Sequence, residues 1–333
     1  ACLPVRSGDA ARGSLRVNAR RPLPSQAMGM TPSLEPKRAR RVLRALGLRG
    51  LLALALSLQP AWTLAASPML SIVDGEAMVI DGAERHAGVV GLVVQPQAIV
   101  HTGERTAVVR IEWPDGVVAD LGPSTRVLIE PPGFGPRDRR LPSLYLLEGW
   151  VKLSAGDAGA APGLLGTTLD VQPVAGSVVV HARGQESFVF AEAGPVQVQD
   201  RRAAGTRASL KVGEVFAGPA TGKPALSARP TPEQMQKVPK AFRDPLPRRA
   251  ASLKGRKIEV RALAPPRYED LRDWLQGEPA LRRGFPGRFA ALLSDSAFRA
   301  AVTAQLSRHA EWTPLIYPDK PPKPAGAASR TGP

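Results

Sequence analysis

The chain reads as a mainly β protein, an antiparallel sandwich, barrel or rolled sheet, followed by a small α-helical C-terminal domain. Three observations predict this. Between residues 70 and 216, short runs of alternating apolar and polar residues recur with turn residues between them. No amphipathic helical period and no internal repeat interrupts that span, so the crossover helices of a parallel sheet are missing. Thirty-four prolines in 333 residues, about twice the average usage, favour many short elements.

The first patterned segment is a leader. Lys37, Arg38, Arg40, Arg41, Arg44 and Arg49 lead into the uncharged run 51–58, and small residues follow at Thr63, Ala65 and Ala66. Basic, apolar and small-residue zones in that order mark a secretory signal peptide over 28–66, starting at Met28 or Met30 and cut after Ala65 or Ala66. The basic residues hold the chain on the anionic cytoplasmic face. The apolar run is shorter than the about 20 residues a relaxed membrane-crossing helix needs, so no integral transmembrane span is expected after cleavage. The alternative is an uncleaved anchor over 42–64, with Arg44 and Arg49 snorkelling. Residues 1–27 have no starting Met and no period and read as upstream sequence outside the fold. The expected location is periplasmic or secreted.

The β domain is placed at 67–217. Its clearest strand is 106–113, where Ala107, Val109, Ile111 and Trp113 point to a core while Thr106, Arg110 and Glu112 point to water. Pro114-Asp115-Gly116 then reverses the chain into 117–121, because proline presets its own φ and glycine accepts a positive one. Gly122-Pro123-Ser124 turns into 125–130, and a proline-rich loop with Phe134 and Arg137 to Arg140 follows. The run 143–153 carries Glu148-Gly149 in its middle, which predicts a tight turn or a bulge. Further strands are expected at 167–171, 177–182, 187–191, 196–199 and 210–216.

Residues 218–265, rich in Pro, Ala, Gly and Lys/Arg, read as a basic linker. Within it Thr231-Pro232-Glu233-Gln234 has the spacing of a capping box with proline in the first helical turn, opening a helix that Pro239 ends. A small helical domain is placed at 266–317. Its helices are expected at 268–276, stopped by Gly277, at 279–285 and 286–293, and at 296–310, capped by Ser294 or Asp295 with Phe298, Ala301, Val302 and Leu306 on one face. Each is too short to stand alone, so they must pack together or onto the sheet. Residues 318–333 have nothing to bury and read as a disordered tail.

Charge sharpens the functional reading. The net charge is +16, but residues 67–220 carry 13 basic and 17 acidic side chains, against 21 and 10 in 221–333. A slightly acidic β domain in an exported chain argues against a nucleic-acid partner. The only cysteine is Cys2, in the upstream piece, which leaves no thiolate chemistry and no thiolate metal site. The histidines at 86, 101, 181 and 309 lack metal-ligand spacing, and His181 alternates with Val179 and Arg183 as a solvent-facing strand residue. Asp115 and Asp120, with Glu112 near them, have the look of paired carboxylates, but Glu112 and Asp115 flank a hairpin turn and structural use is assigned rather than acid–base catalysis. Nucleophile elbows, phosphate loops and His-Glu-x-x-His helices are missing, so no catalytic residue, cofactor or metal is assigned. The densest chemistry is the run 237–261, with nine basic residues opposed by Asp244 and Glu259. Arg248, Arg249, Arg256 and Lys257 are its candidate contacts for an envelope protein or an anionic envelope polymer or lipid surface. A solvated flexible connector is the bland reading of the same run. Trp150 and Trp312 are candidate contact indoles, with core or seam positions as their alternative; Trp274 shares that alternative and Trp113 is assigned to the core.

With the strands placed, residues 97–199 resemble the FecR-domain family. The resemblance rests on Thr102-Gly103, Val108-Val109-Arg110-Ile111 with Pro114-Asp115-Gly116, Leu121-Gly122-Pro123-Ser124, Val127-Leu128-Ile129, Leu147-Glu148-Gly149-Trp150-Val151, and Val178 to Arg183 with Phe188-Val189-Phe190. It implies an all-β envelope module that acts by contact. In the regulators of that family a cytoplasmic sigma-binding domain precedes the membrane segment. Here about twenty residues precede the apolar run, so the expectation is the exported module without that regulatory half. The function expected is therefore a non-enzymatic exported protein that binds a protein or polymer partner, in sensing or signalling. The alternatives are an envelope hydrolase built from distant carboxylates and histidines, and a membrane-anchored signalling component.

Overall fold

The computed structural model describes residues 67–131, 143–156, 162–173, 176–202 and 206–318. The leader 28–66, the upstream piece 1–27, the loop with Phe134 and Arg137 to Arg140, and tail residues 319–333 lie outside the described residues.

The strands are β1 (Met69–Asp74), β2 (Ala77–Asp81), β3 (Glu84–Ala87), β4 (Ile99–Thr102), β5 (Val108–Glu112), β6 (Val118–Leu121), β7 (Arg126–Ile129), β8 (Ser143–Ser154), β9 (Gly163–Gly166), β10 (Leu169–Pro173), β11 (Ser177–Arg183), β12 (Glu186–Ala193), β13 (Val196–Asp200), β14 (Arg207–Leu210), β15 (Val215–Gly218), β16 (Ala225–Ser227) and β17 (Ala262–Leu263). The helices are α1 (Pro232–Lys237), α2 (Ala250–Leu253), α3 (Tyr268–Leu275), α4 (Pro279–Arg282), α5 (Phe285–Phe289), α6 (Ser296–Ala304) and α7 (Thr313–Ile316). The mainly β architecture with small C-terminal helices is as the alternation predicts.

All strands join one continuous ladder that folds over on itself. One sheet runs β1-β5-β6-β8-β11-β12-β15-β16, antiparallel throughout. The other runs β17-β3-β2-β4-β7-β8-β9-β10-β13-β14, with β8 and β9 parallel and the rest antiparallel. Strand β8 belongs to both. Residues 143–146 and Glu148 pair in the second sheet and residues 149–154 in the first, and the register slips between the Arg126–Glu148 and Val127–Leu146 pairs. The extra residue is Leu147, so the Glu148-Gly149 signal marks a bulge rather than a turn.

Between the two sheets the inward faces meet in the main core. Val109, Ile111, Leu121, Val151, Val180 and Val189 come from the first, and Val100, Val127, Ile129, Leu146, Val171 and Val198 from the second. Period-two alternation puts every other side chain inward; what it cannot show is what covers the opposite faces.

Both outer faces are covered by the chain itself. Over the second sheet, Ile80, Ile99, Leu128 and Tyr145 share a core with Leu271, Trp274, Leu275, Phe285, Phe289, Phe298, Val302 and Trp312. Period 3.6 accounts for the helical side, since Tyr268, Leu271, Trp274 and Leu275 are the buried stripe of α3. Over the first sheet, Val108, Val179, Phe188 and Val215 pack against Val238 and Phe242, which follow α1. Helix α1 opens with the expected capping box, Thr231 Oγ1 accepting from the amide of Gln234. Residues 218–265, read as a linker from composition, thus include β16, α1, α2 and β17 and lie against the sheet.

This cover corrects the reading of β5. Arg110 and Glu112 do point away from the main core, but they are only 6% and 5% exposed rather than facing water. Arg110 makes a two-pronged ion pair with Asp120, at 2.6 and 2.8 Å. A buried charge that keeps its partner and its hydrogen bonds is tolerated; one left alone costs about 3–5 kcal/mol. Asp115 does brace its turn, accepting from the amide of Val117 at 3.2 Å.

Candidate functional site

Among the described residues, at least two places on this scaffold present chemistry to solvent. The first is the strap that leads from the outer face of the first sheet to the edge of the second. Its backbone is fastened by side chains buried under it. Arg110 donates through Nη1 to the carbonyls of Leu246, at 2.7 Å, and Pro247, at 3.3 Å. The Glu112 carboxylate accepts from the amide of Arg249 at 2.9 and 3.1 Å and from that of Ala250 at 2.9 Å, where α2 begins. Farther on, Ile258 packs on the main core, Ala87 donates its amide to the Arg261 carbonyl at 3.0 Å, and β17 adds to β3.

The side chains of Arg248, Arg249, Lys254, Arg256, Lys257 and Arg261 remain exposed along this fastened backbone. Between residues 245 and 261 Glu259 is the only acid among them. Sequence reasoning names four of these cations. That the main chain beneath them is held by Arg110 and Glu112, 136 and 137 residues away, is not encoded in any local pattern.

The second place is a cleft of about 500 Å³ where β8 passes from one sheet to the other. Gly149 takes φ +102° there, and a Cβ on it would lie 2.4 Å from Thr125 Cα. Only glycine lets the two backbones approach so closely. Thr125 Oγ1 accepts from the amide of Trp150 at 2.9 Å, which sets the indole at the cleft. Directly across the ladder His181 pairs with Trp150, and the two rings stack with centroids 4.3 Å apart. Phe188 meets the indole edge-on at 6.0 Å.

The other walls are polar. Arg126 binds Glu148 at 3.1 Å and Asp273 of α3 at 2.5 Å, while Glu104, Ser124 and Arg183 stand exposed at the rim. Burial, and then the positive charges of Arg183 and Lys237, push the His181 imidazole down to about 4, so it is neutral at physiological pH. The expectation of a solvent-facing His181 is corrected accordingly: the ring is partly buried beside Trp150.

Of the two candidate indoles, Trp150 lines this cleft, whereas Trp312 is 1% exposed and packed against Phe298 in the helical core, out of reach of a partner. Trp274 and Trp113 are also buried, at 0% and 5%. Among the described residues no group of three or more His, Cys, Asp or Glu could hold a metal ion, and no helix is long and apolar enough to cross a membrane.

No family model matches the chain, and no curated protein does. Among solved structures it is similar to two crystal structures of a candidate anti-sigma factor from Parabacteroides distasonis ATCC 8503. One is 17% identical, over 39% of this chain and 59% of that one, with a TM-score of 0.33. The other is 18% identical, over 36% and 55%, with a TM-score of 0.30. The chain thus spans a little over half the length of each, and a likeness this distant carries no inference about activity.

Proposed function

We propose that the protein is a non-enzymatic contact module of the cell envelope, exported as a FecR-like β body, whose cationic strap docks on phosphate-bearing envelope surfaces. One observation carries the reading: the strap's main chain is held by Arg110 and Glu112 while its cations stay in solvent. A free tether would pay to order its backbone on binding; a fastened one has met that cost in folding. Each basic residue near an anionic surface contributes about 1 kcal/mol, an attraction that weakens as salt shortens the Debye length. The leader pattern at 28–66 and the strand motifs of 97–199 support the envelope setting.

Cosedimentation with vesicles tests the docking. Binding is expected to vesicles rich in phosphatidylglycerol and not to pure phosphatidylcholine, falling as salt rises. Replacing Arg248, Arg249, Arg256 and Lys257 together by Glu is expected to abolish it. A parallel arm with a phosphorylated polysaccharide distinguishes lipid headgroups from glycan phosphate. Equal binding to neutral vesicles, or binding indifferent to charge reversal, overturns the docking. N-terminal sequencing of the protein from cells tests export, with a start at Ala66 or Ser67 expected.

A further inference from the structure

The cleft at the bend of β8 has a different character from the strap. Its two cations, Arg126 and Arg183, are matched by two anions, Glu104 and Glu148, and Arg126 is further engaged by Asp273. A site balanced in this way does not concentrate a polyanion, because its carboxylates repel what its guanidiniums attract. It does offer acceptors and donors side by side, in Glu104 and Arg183, with the Ser124 hydroxyl able to act as either. Trp150 and the neutral His181 both line the cleft, and because they are stacked on one another each covers one side of the other, leaving a single aromatic shelf at the cleft wall. The volume of about 500 Å³ falls within the range of about 300–1,000 Å³ usual for small-ligand sites.

A ligand that uses all of this has an apolar face for the shelf, hydroxyls that both donate and accept, and no net charge. We propose that the cleft is a glycan-binding site for a short neutral oligosaccharide. The C–H face of a pyranose packs on the side of the Trp150–His181 stack left open at the cleft, and its hydroxyls donate to Glu104 and Glu148 and accept from Arg183 and Ser124. An aromatic peptide side chain would share the shelf but leave the charged rim unanswered, at the cost of desolvating it. Gly149 and Thr125 hold the indole in place before any ligand arrives, so little ordering is needed on binding.

The test is a tryptophan-emission titration of the whole protein with chitotriose and maltotriose, with dextran sulfate as the polyanion. A saturable change with at least one neutral sugar is expected, insensitive to salt and lost in Trp150→Phe. Glu104→Ala and Arg183→Ala alter exposed rim residues and are expected to fold normally by circular dichroism, yet each to weaken binding about tenfold, as loss of a charged hydrogen bond does. The fourfold Glu variant of the strap is expected to bind sugar unchanged, which separates this site from the docking surface. No saturable response to any neutral sugar, an unchanged affinity in both rim variants, or a response to dextran sulfate alone overturns the assignment.

Discussion

His101 shows how a single side chain records its surroundings. It sits on the outer face of β4 under the helical layer, and Trp274 donates its indole N–H to His101 Nε2 at 3.0 Å, the two rings within 12° of parallel. That nitrogen can accept only while unprotonated, so its proton sits on Nδ1. Burial, then the charge of Arg126, lowers the pKa to about 4, against the opposing pull of Asp270 and Asp273. In the unfolded chain the value is about 6.5. Between those two values the unfolded state holds the extra proton, so stability is present in full above about pH 6.5 and lost progressively as pH falls towards 4. The loss is at most on the order of 3 kcal/mol. His101→Gln keeps an acceptor without titrating. Urea unfolding at neutral pH and near pH 4.5 is expected to show a shallower loss of stability in the variant than in the parent protein; identical losses would show that His101 is not a source of the acid sensitivity.

Among the elements, β8 decides the architecture, because it lets one ladder fold into two facing sheets. Gly149 makes the transfer possible, and Gly149→Ala combines a positive φ, which costs about 1–3 kcal/mol for other residues, with a Cβ driven into the Thr125 backbone. A loss of about 3 kcal/mol is expected, read by calorimetry as a midpoint lower by roughly 6–12 °C; a change within about 1 °C would mean that the bend relaxes freely. This element also marks how far the sequence is legible. The alternation around Val109, Ile111, Val178 and Val180 locates their strands and inward faces, as does the Thr231 capping box for its helix. Strand β9, a four-residue Gly-Leu-Leu-Gly, carries no alternation of polarity, and β17 is two residues long, so neither could be read. The outward residues Arg110 and His181 look like solvent positions because their covers, Leu246 with Pro247 for one and Trp150 for the other, come from distant segments. The cleft was missed for that reason. Trp150 is visible as an indole, but its neighbour across the ladder is set by register, which no local pattern states.

At the scale of the molecule, the question is whether the helices ride on the sheets or belong to them. Among the described residues four ion pairs ring the contact: Arg85–Asp270 at 3.0 Å, Arg126–Asp273 at 2.5 Å, Arg288–Asp81 at 2.9 Å, and Arg201 with Glu278, held by both guanidinium nitrogens at 2.8 and 2.5 Å. Partly exposed pairs of this kind contribute about 0–1 kcal/mol each, so they orient the helices more than they hold them. The binding force is the shared core, where Ile80, Ile99, Leu128 and Tyr145 meet Trp274 and its neighbours. Among the described residues no helix exceeds nine residues, and such lengths have no stability of their own in water. Detaching them would both melt them and bare the apolar outer face of a sheet, and a cost on both sides couples the two layers into one cooperative unit. Calorimetry is therefore expected to give one transition with equal calorimetric and van't Hoff enthalpies. Trp274→Ala is expected to lower the midpoint of that whole transition, at a cost of about 3–5 kcal/mol, without splitting it. An early helical melt that leaves the sheet signal intact would show that the helices are only appended.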